Sequence, residues 1–340
     1  MASLLSGIIR QAIRCPNEPF NVATFPTHES FESGISLSRA RFWAFRAPNI
    51  KDWNVNYRPI PANYVLLNPE RGDSQLPPDV DYDIILSQNK FGQYQKAADL
   101  SRRLQLPLIS LEHTLPHPSW KPNYIEQVAA MRGHFNVFIS EFSRKAWGYE
   151  DDSEAIVIHH GIETDVFCPN PEKPKKGHIL SVVNDWINRD VFCGYKLWER
   201  ASHGLPVDVV GDTPGLSKPA TSVADLVSHY QGASVFLNTS LVSPVPTSLL
   251  EAMSVGLPCV SSATCMIPDI IQHGVNGFLS NDAASLRGYC LTLLADKELA
   301  ARMGAAARQT ILERFSMPAF VENWNRLFER AANHVYVGHP

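Results

Sequence analysis

Short apolar, β-branched runs recur along this chain, most of them separated by helix-length mixed stretches. That alternation points to parallel sheets with crossover helices. The runs fall at residues 21–25, 64–67, 82–86, 108–111, 135–139 and 155–158, then at 179–183, 207–210, 234–237, 257–260 and 277–279. Between the two sets, residues 167–177 (FCPNPEKPKKG) are rich in proline and lysine and read as an exposed linker. The expectation is an α/β chain of two doubly wound, Rossmann-like domains, 1–166 and 167–315, followed by a helix within 316–340. In that last segment Phe320, Trp324, Leu327 and Phe328 share one helix face, which requires a partner surface. Doubly wound sheets take ligands at the carboxyl ends of their strands, so function is expected in the loops there, around a cleft between the domains.

Composition narrows the function classes. With 44% hydrophobic and 19% charged residues, the chain can bury a sizeable core, and disordered, collagen-like and coiled-coil readings fail. A net charge of −4 supplies no global field toward nucleic acid or anionic membrane. No apolar run reaches the ~18 residues a membrane span needs. The start, MASLLSGIIRQAIRCPNEP, lacks the layout of a signal peptide and reads as unprocessed. A cytoplasmic protein is expected, in the host's cytoplasm if the chain is viral. Cys15, Cys168, Cys193, Cys259, Cys265 and Cys290 form no CxxC pair, so reduced thiols are expected rather than disulfides or structural zinc.

The most informative stretch is residues 243–262, SPVPTSLLEAMSVGLPCVSS. Leu249, Leu250, Met253 and Val255 make an apolar helical patch, Gly256 ends the helix, and residues 257–260 form the next strand. The unpaired amides at the helix start, at Thr247 and Ser248, together with the positive dipole end, suit a diphosphate. Glu251, one turn in, can accept hydrogen bonds from ribose hydroxyls. An ordinary capped helix shows the same residues, so the spacing alone leaves both readings open.

This stretch, with PDIIQHGVNGFL at 268–279, resembles the donor-binding signature of glycosyltransferase family 4, the retaining enzymes of GT-B fold. Residues 251–260 (EAMSVGLPCV) match its "EAMAxGxPVV". Residues 156–167 (IVIHHGIETDVF) resemble its "vIpnGvDxxxF" crossover, and 209–212 (VVGD), with Gly211, its "vvGdG" strand end. Residues 314–324 (RFSMPAFVENW) resemble the "fsw" segment that leads the last helix back onto the first domain. The resemblance implies a glycosyltransferase that moves a sugar from a nucleotide sugar to a hydroxyl acceptor with retention. It implies a UDP-sugar as donor, with no cofactor and no tightly bound metal. LEHT at 111–114 is similar to the family's "HD" strand end, which assigns His113 to the transferred sugar. His28, Glu29 and Gly34 occupy the loop where donor or acceptor contacts are expected; a helix start capped by Thr27 is the alternative.

Three positions depart from that pattern. The first family glutamate is Ser243, which removes a carboxylate contact to the donor sugar, and the turn glycine is Pro246, which has no N–H. Of the family's cationic pair Arg189 is kept, but Cys193 stands where the lysine belongs, with Lys196 as the replacement. Charge growing on the leaving nucleotide needs such cations. A catalytically silent GT-B protein that binds a nucleotide or glycan is therefore one alternative. Another is a bacteriophage-type enzyme that glycosylates hydroxymethylated bases in DNA. Its carrier would be Arg39, Arg41, Arg46, Lys51 and Arg58 interleaved with Phe42, Trp43, Phe45, Trp53 and Tyr57, read either as a nucleic-acid groove or as an amphipathic helix.

Overall fold

The structure, a computed structural model, describes residues 18–46 and 52–338, the side chain of Asp73 excepted. The chain start, Cys15 and Lys51 lie outside the described residues. The chain forms two compact units, residues 1–159 with 318–340, and residues 160–317.

In the first unit, β1 (Phe20–Thr24), β2 (Ala40–Ala44), β3 (Tyr64–Leu66), β4 (Ile84–Ser87), β5 (Leu108–Glu112), β6 (Phe135–Phe138) and β7 (Ala155–Val157) form one sheet. Its order is β3-β2-β1-β4-β5-β6-β7, and every pairing is parallel. β4 and β5 are buried at every position, as expected of strands covered by crossover helices on both faces. The helix Met317–Ala332 buries Phe320, Trp324, Leu327 and Phe328. Phe320 and Trp324 lie edge-on to Phe31, and Phe328 lies edge-on to Phe42, so this helix crosses back onto the first unit.

The basic, aromatic stretch from Arg39 to Arg58 corrects the expectation of an amphipathic helix, for its first part is a strand. Its first part is β2, where Ala40, Phe42 and Ala44 point inward and Arg41 points outward, the period of a strand. Phe42 and Phe45 are core residues. Trp43 and Trp53 are half-buried, with their indole N–H groups donated to Asn21 Oδ1 and the Arg58 carbonyl. Phe42 and Phe45 thus serve the core, and the two indole N–H groups are committed within the protein.

In the second unit, β8 (Ile179–Val182), β9 (Val207–Val210), β10 (Val235–Asn238), β11 (Cys259–Ser261) and β12 (Phe278–Leu279) pair in parallel in the order β12-β11-β10-β8-β9. Ile179, Trp186, Trp198, Leu237, Val260 and Leu286 contribute to its core. The units divide between His159 and His160, ahead of the proline-lysine stretch. The reason is local bonding. Ile162 N–H donates to the Phe315 carbonyl, and Phe167 is buried beside Tyr230. The Lys176 N–H and the Lys173 ammonium bond to Gly232 and Ser228, which ties residues 167–177 along the second unit. Among the described residues no helix is long and apolar enough to cross a membrane.

Candidate functional site

Strand order reverses between β8 and β10, and the crevice outside their carboxyl ends is where a doubly wound sheet takes a ligand. Two glycines draw the loops around it together. Gly211, after β9, has φ +140, and a Cβ there would stand 2.0 Å from the Val183 carbonyl oxygen. Gly194 has φ +64, and its Cβ would stand 2.0 Å from the Thr239 carbonyl oxygen. No side chain fits either approach. The loop after β8 is further fixed by Asp185 N–H on the Asp212 carbonyl at 2.7 Å. Trp186, fully buried, donates its indole N–H to the Cys193 carbonyl at 2.8 Å.

That loop presents the cations. Arg189, exposed, precedes the short helix Asp190–Cys193 and places Nη1 3.4 Å from the Asn184 carbonyl. Lys196 is 80% exposed with Nζ 3.6 Å from Asp190 Oδ2, a surface pair that costs little to open. Cys193 is instead packed in the core with Ile179, Trp186 and Leu197, and burial pushes its thiol up. An ammonium at that position would be buried among apolar groups, which is unfavourable without a partner.

The helix Thr247–Ser254 starts behind Pro246, whose carbonyl accepts the N–H groups of Leu249 and Leu250 at 3.1 and 3.4 Å. The amides of Thr247 and Ser248 lie ahead of the first intrahelical acceptor, with Thr247 exposed. Glu251 is half-buried, and Tyr230, fully buried, donates its hydroxyl to Glu251 Oε2 at 2.8 Å. The same hydroxyl lies 3.2 Å from the Ser248 carbonyl. Tyr230 escaped sequence reasoning because it sits on the distant helix Val223–Gly232 and belongs to no motif. Ser243 is half-buried, and its backbone hydrogen bond to Cys265 offsets part of the upward push of burial on that thiol. Beneath these loops the buried side chains of Asn238, Ser240 and Ser261 satisfy one another, at 2.8 Å for Asn238 to Ser261 and 2.9 Å for Ser240 to Asn238.

The first unit carries the other candidates. His113 follows β5, half-buried, with its ring edge-on to Phe31 at 4.5 Å between centroids. His28, rather than Thr27, caps the helix Glu29–Ile35, its Nδ1 accepting the Ser30 N–H at 3.2 Å. Glu29 Oε1 accepts the Asn54 N–H at 3.1 Å. Gly34 is buried inside that helix, so the loop expected to run through it ends at His28.

The Thr27 hydroxyl donates instead to Gln88 Oε1 at 3.1 Å, and its N–H goes to Glu32, which sequence reasoning also missed. Glu32, 1% exposed, accepts the Thr27 N–H at 2.9 Å, the Tyr64 hydroxyl at 2.7 Å and the Gln88 amide at 3.1 Å. Burial outweighs these bonds and pushes its carboxyl up to about 7. A glutamate in a first helical turn carries no sequence signal of this kind.

In the second unit, then, two exposed cations and a helix start collect positive potential at one crevice, and a carboxylate held by tyrosine stands one turn further in. That arrangement suits a phosphorylated, hydroxyl-bearing ligand.

The family model for glycosyl transferases group 1 matches residues 218–310, which include the helix Thr247–Ser254. N-acetyl-alpha-D-glucosaminyl L-malate synthase of Bacillus anthracis is 35% identical over 82 residues, 24% of this chain and 22% of the relative. Alpha-maltose-1-phosphate synthase of Mycobacterium tuberculosis is 25% identical over 276 residues, 64% of this chain and 71% of the relative. The chain spans about a quarter of the length of the first two relatives, 22% and 28%. In structure it is similar to Anabaena Alr3699/HepE, solved in complex with UDP and glucose, at TM-score 0.70 and 16% identity over 91% of this chain and 99% of the other. Sucrose-phosphate synthase of Thermosynechococcus elongatus gives TM-score 0.69 at 14% identity, covering 92% and 98%. These likenesses show the fold, which is that of the GT-B glycosyltransferases.

Proposed function

We propose that this chain, whose residues 218–310 match the glycosyl transferases group 1 model and whose fold is GT-B, moves a sugar from a nucleotide sugar to a hydroxyl acceptor with retention of configuration. The observation that carries this reading is the helix Thr247–Ser254, which starts with unpaired amides and holds Glu251 one turn in, within the segment that the family model matches. In the reading, the amides of Thr247 and Ser248 take the diphosphate together with Arg189 and Lys196, and Glu251 takes the ribose. Gly211 and Ser243 line the donor side. The resemblance assigns His113 to the transferred sugar, and His28 and Glu29 to donor or acceptor contacts. Cations and helix dipole stabilise the charge that grows on the leaving diphosphate, so no metal is required. The UDP complexes of Alr3699/HepE support uracil as the base.

A thermal-shift screen with UDP, GDP, ADP and CMP and their sugar conjugates tests the donor site. One nucleotide at about 100 times its Kd should stabilise the protein by about 2.7 kcal/mol. Glu251→Ala should abolish that shift. Because alanine leaves the buried Tyr230 hydroxyl without the Glu251 acceptor, Glu251→Gln is the companion variant. An unchanged shift in both variants would place the donor elsewhere.

Cys193, buried where the resemblance puts a lysine, favours a second reading: a protein that binds nucleotide without turnover. Stabilisation by a nucleotide with no release of UDP from any UDP-sugar would select it.

A further inference from the structure

We propose that Glu112 is a positioning residue that holds His113 in place against the transferred sugar, an inference that rests on the reading of His113 given above. Glu112 ends β5 and is fully buried. Its Oε1 accepts both the N–H of Thr114 at 2.8 Å and the Thr114 hydroxyl at 2.6 Å, so the side chain folds around the residue between them. Its Oε2 accepts the Lys90 N–H at 3.0 Å, from the loop after β4. Thr114 is held on its other side as well, its carbonyl accepting the indole N–H of the buried Trp147 at 2.9 Å.

His113 therefore lies between two anchored neighbours. On one side Glu112 is registered opposite Phe138 in the sheet, and on the other Thr114 is bonded through its N–H, hydroxyl and carbonyl. The His113 ring itself rests edge-on against Phe31. Loops this tightly pinned are how a reacting group is kept within the tolerance that catalysis demands.

The chemistry selects a carboxylate. Three donors converge on the two oxygens, and a carboxylate presents acceptors only. Glutamine keeps an oxygen for Thr114 but turns an N–H toward the Lys90 N–H. Alanine removes all three bonds. The graded series Glu112, Gln, Ala thus separates positioning from mere presence of the loop.

The test combines NMR of the full chain with UDP release from the UDP-sugar that stabilises the protein most. The Thr114 amide should resonate downfield and exchange slowly in the parent protein, keep this behaviour in Glu112→Gln and lose it in Glu112→Ala, with the His113 ring signals moving only in the last. Glu112→Ala should lower kcat about 10²-fold with UDP affinity unchanged. Glu112→Gln and Thr114→Val should each lower it measurably, by about three- to tenfold, the scale of one hydrogen bond. A folded Glu112→Ala with the parent kcat overturns the proposal, and so does an unchanged Thr114 amide. If Glu112→Ala does not fold, parent kcat in both milder variants overturns it instead. Full UDP release by His113→Ala, or none by the parent protein, overturns the underlying reading and the proposal with it. That failure is told apart from a loop Glu112 does not hold, because the Thr114 amide is read without substrate.

Discussion

The two sheets have one switch point each, between β1 and β4 and between β8 and β10, and they are finished in opposite ways. In the first unit the protein's own side chains occupy the crevice. Gln88 bridges the two strands by donating to Thr24 Oγ1 at 3.0 Å, and the Glu32 carboxyl lies against the same amide. In the second unit glycines bring the loops to van der Waals limits, while Arg189 and Lys196 stay exposed beside a helix start. The same topological rule therefore gives one crevice that is satisfied internally and another whose backbone donors and cations await a ligand.

The largest effect should come from the glycines. Gly194→Ala or Gly211→Ala places a Cβ 2.0 Å from a carbonyl oxygen and should destabilise the protein by about 3 kcal/mol or more, measured by urea unfolding. A loss under about 1 kcal/mol would mean that the loops are not held together as described.

Glu32 probes the sealed crevice. Its folded carboxyl stays protonated up to about 7, whereas in the unfolded chain it ionises near the usual value of about 4.3. The folded state then holds the extra proton between these values, so stability is fully present at low pH and falls as pH rises through the window. The fall should amount to about 4 kcal/mol at most. Glu32→Gln should flatten that slope, and a parent protein whose stability shows no such slope would mean the first crevice is not dry.

Arg189→Ala should weaken UDP binding by about 2 kcal/mol, the value of a charge-assisted hydrogen bond, with no change in Tm. Calorimetric titration decides it, and equal affinity would remove Arg189 from the open crevice. Tyr230→Phe takes one hydroxyl from Glu251 and should cost about 1 kcal/mol of UDP affinity. The smallest effect on stability is expected for Lys196→Ala, within about 0.5 kcal/mol because the ammonium is exposed. The UDP affinity of that variant should depend less on salt than the parent's.

β2 shows why legibility in the sequence was uneven. Arg41, Phe42 and Trp43 follow one another, and within a basic, aromatic stretch they fit a helix as well as a strand. What settles the matter is Phe42 packed on Tyr64 and on Phe328 from the far end of the chain. The start of the helix Glu29–Ile35 was ambiguous for a related reason. Thr27 is the better cap by residue type, but its hydroxyl donates to Gln88 Oε1 at 3.1 Å and His28 caps instead.

Periodicity, being a local property, determined most of the strands, the helix at Thr247 and the amphipathic face of the last helix from sequence alone. The resemblance in turn singled out Arg189 and His113 after strands, and Glu251 near a helix start. Tertiary structure alone decided which polar groups are buried and what they meet: Glu32 with Tyr64 and Gln88, Glu251 with Tyr230, Cys193 within the core. The physical reason is that desolvation and hydrogen bonding depend on neighbours in space, and the residues that hold these groups lie far from them along the chain.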